Sequence, residues 1–163
     1  MDAVRAASQH RVLADGTPVP LPRRASEWKA VNVYPHSLTK DNWEFAMYGD
    51  PANPRNGGHM PGVGRSRKTE LPAGWTEAMF KQAVNATIDA PQIVKVSGTT
   101  LQRWREYNQV IFRVDTYPDP AGTGKTLTGH AFPVNGKGVI YNEPNGTQTP
   151  RPLDWSVIDG HHE

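Results

Sequence analysis

Thr76-Glu77-Ala78-Met79-Phe80-Lys81-Gln82-Ala83-Val84-Asn85-Ala86-Thr87-Ile88 and, further on, Val110-Ile111-Phe112-Arg113-Val114-Asp115 carry two different periods. In the first run Met79, Phe80, Ala83, Val84 and Thr87 share one helical face, Thr76 has the side chain of an N-cap, and Pro91 ends the pattern. In the second, Val110, Phe112 and Val114 alternate with Ile111, Arg113 and Asp115, as a half-buried strand requires. Residues 92–97, 127–134 and 138–142 read as weaker strands. The turn formers Asp119-Pro120-Ala121-Gly122 and Asn135-Gly136 favour antiparallel hairpins between them. Helix early and strands late predict an α+β domain, with an N-terminal helical part followed by an antiparallel β-sheet.

Outside these runs the chain is less regular. Residues 1–30 hold short polar stretches broken by proline, such as Asp15-Gly16-Thr17-Pro18-Val19-Pro20, and are expected to form a linker or wrapping arm before a domain at 31–163. Gly49-Asp50-Pro51-Ala52-Asn53-Pro54-Arg55-Asn56-Gly57-Gly58 is too rich in turn formers for regular structure. A length of 163 residues with 36% hydrophobic content suits one domain with a modest core. No apolar run approaches the roughly 18 residues of a membrane helix, so a soluble chain with no membrane partner is expected. The absence of cysteine excludes a disulfide framework and thiolate metal ligands. Net charge is only +2, but between Arg55 and Arg105 basic residues outnumber acidic ones eight to three. Arg65, Arg67 and Lys68 crowd a glycine-rich stretch there, where a polyanion could bind.

Gly122-Thr123-Gly124-Lys125-Thr126 imitates part of a phosphate-binding loop, but Asp119 stands where that motif needs its first glycine. The segment also lies between two expected strands, which predicts a plain hairpin turn. Of the histidines, His161 and His162 sit at the end of the chain, His10 lies in the leader, and His36 follows Pro35 in an extended stretch. His59 is different. It follows Gly57-Gly58 and precedes Met60-Pro61-Gly62, where missing β-carbons allow a close backbone approach that can hold an imidazole beside a ligand.

Gly57-Gly58-His59, then Pro61-Gly62, then Arg67-Lys68-Thr69-Glu70-Leu71-Pro72 and Trp75 before a helix, resembles the bacterial EndoU ribonuclease pattern Gly-Gly-His, Pro-Gly, Gly-Lys-Thr-Glu-Phe-Pro-x-x-Trp. Residues 110–114 look like the family's Gly-Val-x-Ile-x-Val strand. His130-Ala131-Phe132-Pro133 is similar to its Thr-Ala-Tyr-Pro signature. The resemblance spans residues 43–135. It implies the EndoU-like (BECR) ribonuclease fold and an endoribonuclease toxin that needs no cofactor. In that chemistry one histidine takes the 2′-OH proton, another protonates the departing 5′-oxygen, and a 2′,3′-cyclic phosphate remains. His59 would be one proton-transfer residue and His130 or Thr128 a third member. Lys68, Arg67, Tyr48 and Phe132 would lie on the substrate side.

Two departures qualify the match. The family's first histidine is missing from Glu44-Phe45-Ala46-Met47-Tyr48-Gly49-Asp50. Ungapped register puts Phe45 at that position; an indel of one residue puts Ala46 there, and alanine is what an inactivating substitution leaves. His36 substitutes only if the fold brings it close. His130 also stands where the family has threonine, with Thr128 two positions earlier and so on the same side of a regular strand. Phe132 for tyrosine keeps a stacking surface and drops the hydroxyl. The rival reading is a non-catalytic RNA-binding or inhibitory module. For a toxin the implied partners are RNA, tRNA included, and an immunity protein, acidic where it meets Arg55, Arg65, Arg67 and Lys68 around His59. The implied destination is the cytoplasm of a target cell, reached by secretion or delivery.

Overall fold

A computed structural model describes residues 36–123 and 126–159. The arm expected at 1–30 lies outside them, as do His10, His161 and His162. The period-3.6 run forms helix α2 (Glu77–Asp89): the Thr76 hydroxyl accepts from Met79 N at 3.2 Å, and Phe80, Ala83, Val84, Thr87 and Ile88 are buried. Met79 is only half-buried at the edge of that face. An earlier helix, α1 (Lys40–Tyr48), starts on a Thr39 cap and ends at Gly49 with φ +96°. Its apolar stripe is thin, with only Met47 buried, which is why periodicity does not announce it.

Five strands form the larger sheet: β1 (His36–Ser37), β3 (Ile93–Ser97), β4 (Thr100–Tyr107), β5 (Val110–Pro118) and β6 (Thr126–Gly136), in the order β1-β6-β5-β4-β3. All neighbours are antiparallel except β1, which runs parallel to β6. A smaller antiparallel sheet has the order β2 (Thr69–Glu70), β7 (Ile140–Asn142), β8 (Gln148–Pro150). A short helix, α3 (Ser156–Asp159), follows. The class is therefore α+β with helices and antiparallel sheets, as the two periods predict.

One expectation about the strands needs correction. Asn135-Gly136 does not turn a hairpin: β6 runs through Gly136, and β7 pairs with β2 and β8 instead. A β-carbon on Gly136 would lie 2.5 Å from Gln109 O and Val110 Cα, so this glycine serves close strand approach. Strand β4 carries no clean alternation because Arg103, which reads as a surface residue, is 1% exposed. Its guanidinium donates to Ile88 O at the end of α2 and, through Nε, to Thr116 Oγ1 at 3.1 Å. By contrast, 119–122 does join β5 to β6 as a hairpin, with Gly122 N donating to Asp119 O at 3.0 Å.

The meander buries both faces. Helix α2 covers one, where Phe112 meets Phe80 at 5.9 Å and Trp75 at 5.5 Å between ring centroids. Trp155 and Ile158 cover part of the other, over Ile93, Trp104 and Ile111. Each of these large side chains contributes about 1.5–3 kcal/mol by leaving water. The rest of that second face stays open, and the candidate site lies beside it.

Candidate functional site

His59 is placed by backbone hydrogen bonds before its side chain makes any contact. The last turn of α1 leaves carbonyls without helical partners, and the Gly57-Gly58-His59-Met60 segment supplies the missing donors. Gly58 N reaches Phe45 O and Ala46 O at 3.1 Å, His59 N reaches Ala46 O at 3.2 Å, and Met60 N reaches Met47 O at 2.9 Å. His59 O accepts from Leu71 N at 2.9 Å on the other side. Gly57 has φ +78°, and a β-carbon there would stand 1.7 Å from Phe45 O. Only glycine fits so close to the helix end.

The imidazole is then fixed by β2. His59 Nδ1 lies 2.6 Å from Thr69 O, and because a carbonyl can only accept, Nδ1 carries the hydrogen. The Thr69 hydroxyl gives its own proton to Pro133 O at 2.5 Å, which ties β2 to β6. The other ring nitrogen, Nε2, keeps its lone pair. Burial pushes the His59 pKa down from 6.5 to about 4, against an opposing pull from the Thr69 carbonyl and with smaller contributions from Lys68, Glu70 and His130. At neutral pH His59 is therefore a neutral, oriented proton acceptor.

Glu70 holds the loop in front of this histidine. Its carboxylate accepts from Gly62 N at 2.7 Å, Gly64 N at 2.9 Å and Asn142 Nδ2 at 3.1 Å. Arg65 is equally structural: it donates to Asp50 O, Asn53 O and Asn56 O at 2.8–3.1 Å, which fixes the turn-rich loop and uses the guanidinium inside the fold. Arg67 adopts φ +64°, rare for a residue with a side chain, and its N–H donates to Asn142 O at 2.6 Å. The Lys68 ammonium is held below its ordinary pKa, first by partial burial and then by the Arg65 charge.

Strand β6 supplies the opposite wall, and a bulge decides which side chains reach it. Asp115 pairs with His130 and Thr116 with Thr128, so Gly129 is the unpaired residue and the alternation shifts. Thr128 turns toward the helices, 8% exposed, beside Phe45 and Ala46. His130 turns the other way and is exposed. The expectation that the two share a side is overturned by this bulge. Phe132 also faces the cavity side, stacked on His59 at 5.8 Å and 26°, with the Arg113 guanidinium 5.6 Å from its ring. Arg113 in turn makes a paired contact with Asp115 at 2.9 and 3.0 Å.

The resulting cavity, about 300 Å³, is lined by His59, Arg67, Lys68, Thr69, His130 and Phe132. Ala46 lies on its wall; Phe45 does not. Tyr48 is elsewhere: it donates to Glu77 at 2.5 Å and lines a groove between α1 and α2 with Trp43 and Lys81. His36 begins β1 at the Thr126 end of β6. The sequence reading missed Tyr141 and Arg151, which complete the cavity from β7 and from just beyond β8. The weak strand read at 138–142 is present as β7, but strands of three residues are too short to show which side chains face the site, and no local signal marks Tyr141 or Arg151 as part of it. Among the described residues, no three His, Asp or Glu side chains converge as metal ligands would.

The cavity joins a neutral imidazole with a free lone pair, a second imidazole in water and three cations, Arg67, Lys68 and Arg151, that have no carboxylate partner among the described residues. That set can accept a proton and hold a phosphate. No family model, curated protein or solved structure matches this chain.

Proposed function

We propose that this domain is an EndoU-type endoribonuclease of the toxin class, cleaving RNA by 2′-OH attack on the adjacent phosphorus. In this reading His59 Nε2 takes the 2′-OH proton, O2′ bonds to phosphorus, the bond to O5′ breaks, and O5′ takes a proton from water, since the histidine that would donate it is missing. A 2′,3′-cyclic phosphate remains on one fragment. Lys68 and Arg67 stabilise the equatorial oxygens as their charge develops. The observation that carries the reading is the His59 geometry: Nδ1 is committed to Thr69 O, and the ring lines a cavity shared with Lys68, Arg67 and His130.

Ala46 is the position at which a second proton-transfer histidine is missing, because its side chain borders the cavity and that of Phe45 does not. Loss of such a group costs about 10²–10⁴ in rate, so the chain as it stands is a weak enzyme. The test uses total RNA. Ala46→His is expected to cut it and leave cyclic phosphate ends, whereas Phe45→His leaves it as intact as the parent chain does. If neither variant cuts, the enzymatic reading falls.

Ala46 also favours a second reading, a non-catalytic RNA-binding or inhibitory module that keeps the cationic cavity. Steeply salt-dependent RNA binding, with no cleavage even by Ala46→His, would select it. The toxin reading carries two further proposals: delivery into the cytoplasm of a target cell, and a cognate immunity protein. The acidic face of that protein is expected at Arg55, Arg65, Arg67 and Lys68, with the Arg65 guanidinium also bonded to the turn-rich loop.

A further inference from the structure

Phe132 is poorly placed to take a nucleobase. His59 is stacked on its ring, and the Arg113 guanidinium lies 5.6 Å from the same ring. The cavity nevertheless offers another flat surface. Arg151 Cζ lies 4.2 Å from the centre of the Tyr141 ring, the spacing of a guanidinium laid on an aromatic face. Proton transfer uses neither residue, yet both line the cavity that contains His59 and His130.

The stack stands on a pinned backbone. Arg151 N donates to Val139 O and Arg151 O accepts from Gly136 N, both at 2.8 Å. Tyr141 pairs with Thr69 on one side and Thr149 on the other. Thr69 holds the His59 ring, so the small sheet fixes the stack relative to the imidazole. Arg151 is exposed, and among the described residues its guanidinium has no hydrogen-bond or ion-pair partner beyond the tyrosine ring. Charge adds to the case. Arg67, Lys68 and Arg151 line one cavity with no carboxylate among its described lining residues, which favours a polyanion.

We propose that the Arg151–Tyr141 stack is a nucleobase subsite, taking an unpaired base of single-stranded RNA on the free face of the guanidinium while Arg67 and Lys68 hold the neighbouring phosphate. This rests on the ribonuclease reading and adds the substrate class. A base in a duplex has both faces covered and cannot reach such a platform, so the substrate is a loop or an unpaired segment. Every base has a π-face, so the platform itself imposes little base preference.

The test is binding rather than cleavage, with a fluorescent single-stranded hexanucleotide of 2′-O-methyl RNA, which lacks the attacking hydroxyl, and the same sequence as a duplex. The full chain is expected to bind the single strand more tightly. Tyr141→Leu and Arg151→Lys should each weaken that binding by about 5- to 100-fold, the usual range for one stacked base. Arg151→Lys keeps the charge and loses the plane, so its effect separates stacking from electrostatics. It changes an exposed side chain, which keeps the question open if Tyr141→Leu unsettles the small sheet. Parental affinity in Arg151→Lys overturns the subsite and leaves the ribonuclease reading standing. A parent chain that binds neither probe overturns both.

Discussion

The two walls of the cavity hold their histidines in opposite ways. On one wall His59 has its N–H, its carbonyl and Nδ1 all hydrogen-bonded, and it follows Gly57, where a β-carbon has no room. On the other, His130 follows a bulge on β6 and faces water across from Asp115. The first arrangement strips solvent from an imidazole and fixes its tautomer; the second leaves an imidazole free to meet an incoming charge. In the proposed ribonuclease reading, the difference gives His59 in the rigid wall the role of proton acceptor and His130 in the open one the contact with the phosphate.

The largest effect that could break this assignment is catalytic. In the Ala46→His background, His59→Ala is expected to lower the initial rate of RNA cleavage by about 10²–10⁴, the value of a general base. His130→Ala should cost distinctly less. Equal losses at the two positions would remove the distinction between acceptor and phosphate contact.

Glycine replacements probe the rigidity of each wall. At Gly57 an added β-carbon meets a backbone carbonyl at 1.7 Å with φ +78°, and nothing nearby is free to move. Gly57→Ala should therefore cost more than about 3 kcal/mol in urea unfolding. At Gly129 the nearest atom is Tyr117 Cε1 at 3.3 Å, the edge of a half-buried ring that can shift. Gly129→Ala should stay within about 1 kcal/mol. A soft response at Gly57 would show that the helix end does not hold the loop.

The buried imidazole also predicts how stability varies with pH. With a folded pKa of about 4 against 6.5 unfolded, the unfolded chain takes up a proton between those values and the folded protein does not. Stability is then complete above pH 6.5 and falls as the pH drops through 4, by about 3 kcal/mol in all. His59→Gln lacks this contribution. Urea titrations of both proteins at pH 7 and pH 4 measure the difference, and identical losses would mean that His59 is not held neutral.

How much of this was legible follows from how local each cause is. α2 shows its period because it buries one face along its whole length; β5 shows its own through Val110, Phe112 and Val114, although it is not the half-buried strand expected, since Ile111 and Asp115 on its other face are buried too. β4 hides because Arg103 is buried by a bond to the end of α2, a contact that no local pattern encodes. The Gly57-Gly58-His59 segment stands out because close packing against a helix end demands glycine. That Ala46 rather than Phe45 borders the cavity depends on the rotation of α1 against β6, which leaves no mark in the chain. Tyr141 and Arg151 meet only through the pairing of two three-residue strands.

The smallest effect separates the two faces of β6 at the bulge. Thr128 and His130 are the two candidates for the third member of the site, and the shift at Gly129 turns Thr128 toward α1, where its Oγ1 is buried without a hydrogen-bond partner among the described residues. A hydroxyl in that state costs about 1–3 kcal/mol of desolvation, most of which a methyl group of the same shape avoids. Thr128→Val should therefore keep the fold, raise the unfolding midpoint slightly and leave cleavage by the Ala46→His protein unchanged. A large loss of cleavage with stability retained would return Thr128 to the reacting phosphate. It would also mean that β6 presents both Thr128 and His130 to the cavity, against the register at Asp115 and Thr116.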